Sequence, residues 1–364
     1  MSKGLRRAVL VGVAVSLAVG LGACGQAGES GGSHTGTSAG LRIGLLLPEN
    51  QTARYETFDR PLIEKKVKEL CGRCTVEYAN AQDNVSTQQQ ANAMISKDVD
   101  VLILDSVDSK SLRSAVTAAK NADIPVVSYD RLVEGPVSAF VSYDLTAIGK
   151  AQGEALLKAV GNNAGGGRIV RVEGPTSGAR DSSEEGALSV LEGKVKITKP
   201  YTAAAWNAEN AHAAMSGAIA AQGADTIKGV WAGNDVIAAG AISALKDAHI
   251  EPLPPVVGQD AELAAVQRIV SGEMYMSVYK PYKPEADAAA TMAIALGRGQ
   301  GLGNVPKDRV NSATAKDIPA VLLTPVSLTV HNIKSTVVKD GTYTVDQICT
   351  PKYRSACERA GLTE

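Results

Sequence analysis

Aromatic side chains are scarce in this chain, which has two Phe and two Trp among its 364 residues. Each Trp is therefore informative, and no basic stripe interleaved with aromatics is present to stack on nucleic acid. Charge of one sign is lacking too: the formal net charge is −1, which also argues against a nucleic-acid surface. No Ser/His/Asp order stands out among the four His, no metal-ligand spacing occurs, and no Gly-rich phosphate loop follows the first strand pattern. These absences set aside an enzyme, and no cofactor and no metal are expected. A repressor would need a helix-turn-helix before Leu41, where the letters offer only a leader and a tether.

The leader is the first positive feature. Lys3, Arg6 and Arg7 precede an apolar run from Ala8 to Ala23 that stops at Leu21-Gly22-Ala23-Cys24. A basic region, a short apolar core and small residues before a cut describe a secretory signal, not a spanning helix. The Cys at the cut resembles a bacterial lipobox, so residues 1–23 read as a lipoprotein signal peptide and Cys24 as the lipid attachment point. Gln26 to Gly40 is Gly/Ser/Thr-rich and too poor in apolar side chains to fold, so residues 24–40 form a tether.

Four further cysteines lie in the body, as Cys71-Gly72-Arg73-Cys74 and as Cys349 and Cys357. An exported protein meets an oxidising environment, so two local disulfides are the plain reading. The Cys-x-x-Cys spacing also suits a redox motif or half of a zinc site, but no His is nearby.

From Leu41 onward, strand and helix patterns alternate. Leu41–Leu47 reads as a strand, Leu62, Ile63, Val67 and Leu70 recur at helical spacing, and Thr75–Ala79, Val101–Leu104 and the Val127 run are strands separated by helices, the one after Val101–Leu104 running over Ser109–Lys120. Alternation of this length gives a parallel sheet with right-handed crossovers. After Asp144 the pattern repeats, through a helix from Ala147 to Val160 and strands at Ile169–Val172, Ile227–Trp231, Pro255–Val257 and Tyr275–Tyr279. An Ala-rich helix over Glu285–Leu296 packs back on the first lobe, Val321–Leu323 follows, and the segment from Val326 crosses once more. About 320 residues exceed what one core usually supports, so the fold class is α/β with two doubly wound parallel-sheet lobes joined by a multi-strand hinge. The lobes comprise 41–143 with 283–323 and 144–282 with 324–364.

Val127-Ser128-Tyr129-Asp130-Arg131 organises the chain, because its first four letters recur as Val141-Ser142-Tyr143-Asp144. The first copy ends a buried strand on an acid and a base, and the second leads from one lobe into the other. In an open α/β sheet ligands sit beyond the carboxyl ends of the strands, where Asp130 with Arg131, Asn234 with Asp235, Gln259 with Asp260, and Lys280 should collect. Carboxylate acceptors and guanidinium or amide donors suit adjacent hydroxyls, and an aromatic face suits apolar ring carbons, a role for Arg54-Tyr55 and Trp206. Asp105 also ends a strand. Of Asn234-Asp235, which precede a helix, Asp235 is assigned the N-cap.

These residues resemble a known family, the type I (ribose-type) periplasmic sugar-binding proteins of ABC transporters, and the D-xylose-binding branch in particular. The stretches that carry the resemblance are Tyr129-Asp130-Arg131, Trp206 with Glu209-Asn210-Ala211, Asn234-Asp235, Gly258-Gln259-Asp260-Ala261, Val278-Tyr279-Lys280-Pro281 and Leu322-Leu323-Thr324-Pro325. The resemblance implies that Arg54, Asp130, Arg131, Asn234, Asp260 and Lys280 hydrogen-bond sugar hydroxyls while Tyr55 and Trp206 sandwich the ring. It implies a monosaccharide ligand, an ABC permease and ATPase as partners, and a monomer held on the outer face of the cell membrane by its N-terminal lipid.

One loop departs from the branch. Where the branch carries Asp-Asn-Asn-Ala after a Pro, this chain has Pro175-Thr176-Ser177-Gly178-Ala179-Arg180, and Leu145 replaces another Asn. Losing a hydrogen bond to a buried hydroxyl costs roughly 1 to 3 kcal/mol, so the expected ligand extends beyond xylose. Ser177 and Arg180 are the candidate contacts there, with Arg180 refilling the space for a larger, differently configured or acidic sugar. The alternative partner is a membrane signalling protein that reads the liganded form, since both roles use closed lobes as the message.

Overall fold

The structure is a computed structural model that describes residues 40–48, 54–80, 84–106, 108–161, 166–175 and 181–363. Among the described residues fourteen strands form two sheets. In the first, β1 (Arg42–Leu47), β2 (Thr75–Asn80), β3 (Val101–Leu104), β4 (Val126–Tyr129), β5 (Ala139–Tyr143), β12 (Asp308–Val310) and β13 (Ile318–Leu323) take the order β12-β13-β5-β4-β3-β1-β2, parallel except for β12. The second comprises β6 (Arg168–Glu173), β7 (Lys196–Ile197), β9 (Ile227–Ala232), β10 (Val256–Gln259), β11 (Met276–Tyr279) and β14 (Val326–Leu328), in the order β14-β11-β10-β9-β6-β7. Its β14 is antiparallel, and β8 (Tyr201–Thr202) pairs on β6.

Period-two alternation in buried strands sends successive side chains to opposite faces. Ile43, Leu45 and Leu47 of β1, with Val101 and Ile103 of β3, meet α1 (Arg60–Leu70) and α9 (Tyr282–Gly297). Leu46, Leu102 and Leu104 face the other way, onto α2 (Asn84–Ser96) and α3 (Arg113–Asn121). In the second lobe Ile169, Trp231 and Val257 pack on α4 (Leu145–Val160) and α5 (Asp181–Leu191). Val170, Val172, Val230 and Val256 pack on α6 (Ala208–Gln222), α7 (Asp235–Asp247) and α8 (Leu263–Ser271). Each such side chain contributes about 1.5–3 kcal/mol by leaving water, so two-sided burial fixes the register of every central strand.

Helices α4 and α5 approach so closely that glycine is required between them. A Cβ on Gly149 would lie 1.8 Å from the Ser183 carbonyl oxygen, and one on Gly186 would lie 2.1 Å from that of Thr146. Among the described residues three segments join the lobes: β5 to α4 at Asp144, β11 to α9 at Lys280-Pro281, and β13 to β14 at Thr324-Pro325. Asp144 caps α4 through its side chain, while its backbone N–H donates to Leu323 at 2.9 Å, and the Tyr143 hydroxyl donates to the Pro281 carbonyl. The chain after β14 folds against the second lobe, with α10 (Val345–Ile348) and α11 (Arg354–Arg359) on α8. The structure bonds Cys71 to Cys74 and Cys349 to Cys357.

Two local expectations need correction. The helix read from Ser109 starts at Arg113, because Asp108 and Ser111 satisfy the preceding backbone by turn bonds: the Lys110 N–H donates to Asp108 Oδ1 at 2.9 Å. The N-cap of α7 is Asn234, whose Oδ1 accepts from the Ile237 N–H at 2.9 Å, and not Asp235. Asp235 is the first helical residue and turns inward to a different task.

Candidate functional site

A π-helical turn over Tyr55–Asp59 opens the first lobe's side of the site. Five-residue spacing brings Arg54 over Asp59, so that Nε donates to Oδ2 at 2.7 Å. The same guanidinium donates through Nη2 to Glu285 of α9 at 2.9 Å and pairs through Nη1 with Asp130 at 3.2 Å. The free oxygen of Asp59 accepts from the Tyr129 hydroxyl at 2.6 Å. Beside this group Arg131 donates to the Tyr55 hydroxyl at 2.9 Å and reaches Asp105 at 3.4 Å.

Asp130 leaves β4 in a left-handed conformation, φ 57°, and Asp260 leaves β10 at φ 99°. Such backbone costs free energy for a residue with a Cβ and persists where the surroundings impose it. Around Asp130 the Ser142 hydroxyl donates to its carbonyl at 2.7 Å. Around Asp260 the imposing group is Asp235: it accepts from Ser277 Oγ at 2.7 Å and from the Glu262 N–H at 2.9 Å, while Ser277 Oγ receives the Ala261 N–H at 3.0 Å. A Cβ on Gly258 would stand 2.6 Å from Asp235 Oδ1, so the glycine leaves room for this carboxylate. Asp260 then receives Lys280 Nζ at 2.9 Å, from the end of β11 where the chain crosses between lobes.

The charges act on one another across this space. Burial raises Asp105, against the pull of Arg131, to about 7. Burial also works to raise Asp130, but Arg54, Lys280 and Arg131 outweigh it and hold the carboxyl below the usual range. Glu285 is pushed well up by burial and by Asp130, and Asp235 by burial and by Asp260. Lys280 remains a cation because Asp260 and Asp130 together outweigh the cost of its burial. It is thus influenced by the strand-end acids of both sheets.

Arg54, Tyr55, Asp105, Asp130 and Arg131 therefore form one cluster, with Asp260 and Lys280 beside it. Tyr55 is buried, and its hydroxyl is engaged by Arg131. Trp206 lies at the carboxyl ends of β6 and β9, its ring against Gly174 and Gly233, and is 45% exposed. Asn234 stands at the end of β9, with its side-chain oxygen used in the cap. Ser177, Arg180 and Cys24 lie outside the described residues, as does the leader. Among the described residues no group of three or more His, Cys, Asp or Glu is arranged to hold a metal ion.

Sequence reasoning missed Asp59 and Glu285, which are fully buried beneath Arg54. Asp59 reads as a solvated residue at a helix start, and Glu285 as an acid favoured in a first helical turn. No spacing signal separates them from those roles.

Two doubly wound lobes, three crossings and polar side chains gathered at the strand ends define a bilobal solute-binding protein. The chain belongs to the periplasmic binding proteins: the model of that family's domain matches residues 43–301. It is 33% identical over 308 residues to the D-xylose-binding periplasmic protein of Escherichia coli (strain K12), covering 83% of this chain and 90% of the relative. With the D-xylose-binding periplasmic protein of Haemophilus influenzae the identity is 31% over 322 residues, 87% of this chain and 94% of the relative. An ABC transporter solute binding protein from Clostridium phytofermentans, solved with bound β-D-glucose, matches with a TM-score of 0.73 and 25% identity over 84% of this chain and 99% of that one. The xylose-binding relatives are periplasmic, which implies export for the group; among the described residues no helix is long and apolar enough to cross a membrane.

Proposed function

We propose that this chain is an exported solute-binding protein that captures a monosaccharide, xylose or a related sugar, between its lobes and delivers it to an ABC permease and its ATPase. It carries out no covalent chemistry. The observation that carries this reading is the pair of strand-end acids, Asp130 and Asp260, each in left-handed backbone and each paired with a cation that offers further N–H donors. Adjacent sugar hydroxyls both donate and accept, and such paired groups answer both demands. Arg54, Arg131, Asn234 and Lys280 supply donors, Asp105, Asp130 and Asp260 acceptors, and Trp206, with Tyr55 behind the cluster, the apolar surface. The lobes run over 41–143 with 283–323 and 144–282 with 324–364, and the monomeric body hangs from a lipid on Cys24.

Calorimetry of the full-length chain in mild detergent against D-xylose, D-glucose, uronic acids and inositols tests the reading. Micromolar or tighter binding of one sugar, abolished by Asp260→Ala, is the expected result. Binding of none of the panel would overturn it. Metabolic labelling with a fatty acid, lost in Cys24→Ala, tests the anchor.

A further inference from the structure

We infer that Asp59 and Glu285 are positioning residues that hold the Arg54 guanidinium at a fixed angle and leave N–H donors on its terminal nitrogens for a ligand. This rests on the reading of Arg54 as a ligand contact. Arginine carries five N–H donors in a rigid fork. Nε donates to Asp59 at 2.7 Å and Nη2 to Glu285 at 2.9 Å, while Nη1 is ion-paired with Asp130 at 3.2 Å. Those three partners come from the π-helical turn, from α9 and from the end of β4, so the guanidinium plane is fixed from three directions.

Simple pairing of one cation does not require this arrangement. Burying carboxylates costs several kcal/mol each before any attraction is counted, so one acid would neutralise Arg54 more cheaply than three. Glu285 is 0% exposed, and its Oε1 has no hydrogen-bond partner among the described residues. A buried oxygen without a partner is unfavourable in the folded state. What the surplus acids secure is orientation: with Nε and Nη2 hydrogen-bonded and Nη1 ion-paired, the guanidinium plane is held in place, and N–H groups on its terminal nitrogens stay unspent for neighbouring hydroxyls. Glu285 lies in the first turn of α9, directly after the crossing at Lys280-Pro281, so the same grip links Arg54 to the segment that joins the lobes.

The test uses the full-length chain with D-xylose and D-glucose as probes in calorimetry, and nitrogen-detected NMR of the Arg54 guanidinium without ligand. Glu285→Ala is expected to weaken the bound probe roughly tenfold or more, whereas Glu285→Gln, which keeps an acceptor for Nη2 and adds a donor at the orphan position, stays within about threefold of wild type. Asp59→Asn, chosen because Asp59→Ala risks unfolding, retains shape but loses charge and is expected to fall between them. Separate, slowly rotating terminal nitrogens of Arg54 are expected in wild type and in Glu285→Gln, and averaged ones in Glu285→Ala. Wild-type affinity in Glu285→Ala would overturn the inference. If wild type binds neither probe nor any other member of the panel, the sugar reading falls; the grip is then decided by the NMR, where averaged nitrogens in wild type refute it and separate ones sustain it.

Discussion

Gly174 offers a sharp way to ask whether Trp206 is a ligand surface. A Cβ placed there would lie 2.3 Å from Trp206 Cδ2 and 2.5 Å from Cε2 and Cε3, closer than nonbonded carbons approach. The backbone end of β6 is held by the sheet, whereas Trp206 is 45% exposed, so in Gly174→Ala the ring is the part that moves. The open part of the ring amounts to roughly 100 Å², and at about 25 cal/mol per Å² its contact with a sugar face is worth about 2.5 kcal/mol. Gly174→Ala should therefore weaken sugar binding about ten- to a hundredfold, and Trp206→Ala by a similar factor. Fold stability should change by no more than about 1 kcal/mol, because a half-exposed ring contributes little to the core. Intrinsic fluorescence reads the effect directly, since Trp231 is buried and Trp206 is the other of only two tryptophans. A ligand-induced change present in wild type should vanish in Trp206→Phe. Wild-type affinity in both Gly174→Ala and Trp206→Ala would refute the assignment of this ring to the ligand.

Three other outcomes follow from the structure. Asp105 holds its proton up to about 7 when folded, so the native state binds more protons than the unfolded chain across the window from its ordinary value to about 7, and stability falls as pH rises through it. Asp105→Asn should flatten that slope in urea denaturation between pH 4 and pH 8; an unchanged slope would show that other groups produce it, Glu285 and Asp235 acting in the same direction. Replacing Cys349 and Cys357 by Ser opens a loop of sequence separation 8, which the chain-entropy relation values at about 2.5 kcal/mol, measurable as a lowered urea midpoint. Gly149→Ala forces α4 from α5 and should cost about 1–3 kcal/mol by the same assay, with sugar affinity as the control.

The β/α alternation was legible because strands such as β3 are buried on both faces and read as an unbroken apolar run, as Val101–Leu104 does. The strand-end residues were legible for the complementary reason, an abrupt change from apolar to charged at Asp130 and Asp260. Two short outer strands carried no such signal: β8 is two residues long, and β12 is Asp308-Arg309-Val310. Asp235 was misassigned because its neighbour Asn234 is as good a cap by composition, and only the packing of Ser277 and Gly258 decides which carboxylate or amide turns inward. Asp59 and Glu285 sit 226 residues apart and meet on one guanidinium, a coincidence that only tertiary structure creates.

The three crossings are not independent strands of a hinge. Asp144 donates from its backbone to Leu323, and Tyr143 donates from its hydroxyl to Pro281, so the first crossing is bonded to both of the others. Any lobe rotation that keeps both bonds carries the three segments as a unit. Lys280 lies at the end of one crossing and pairs with Asp260 while it responds to Asp130. A ligand that inserts hydroxyls between these acids and Lys280 would exchange contacts at a segment that joins the lobes, and any change of lobe angle at that segment would thereby be coupled to binding.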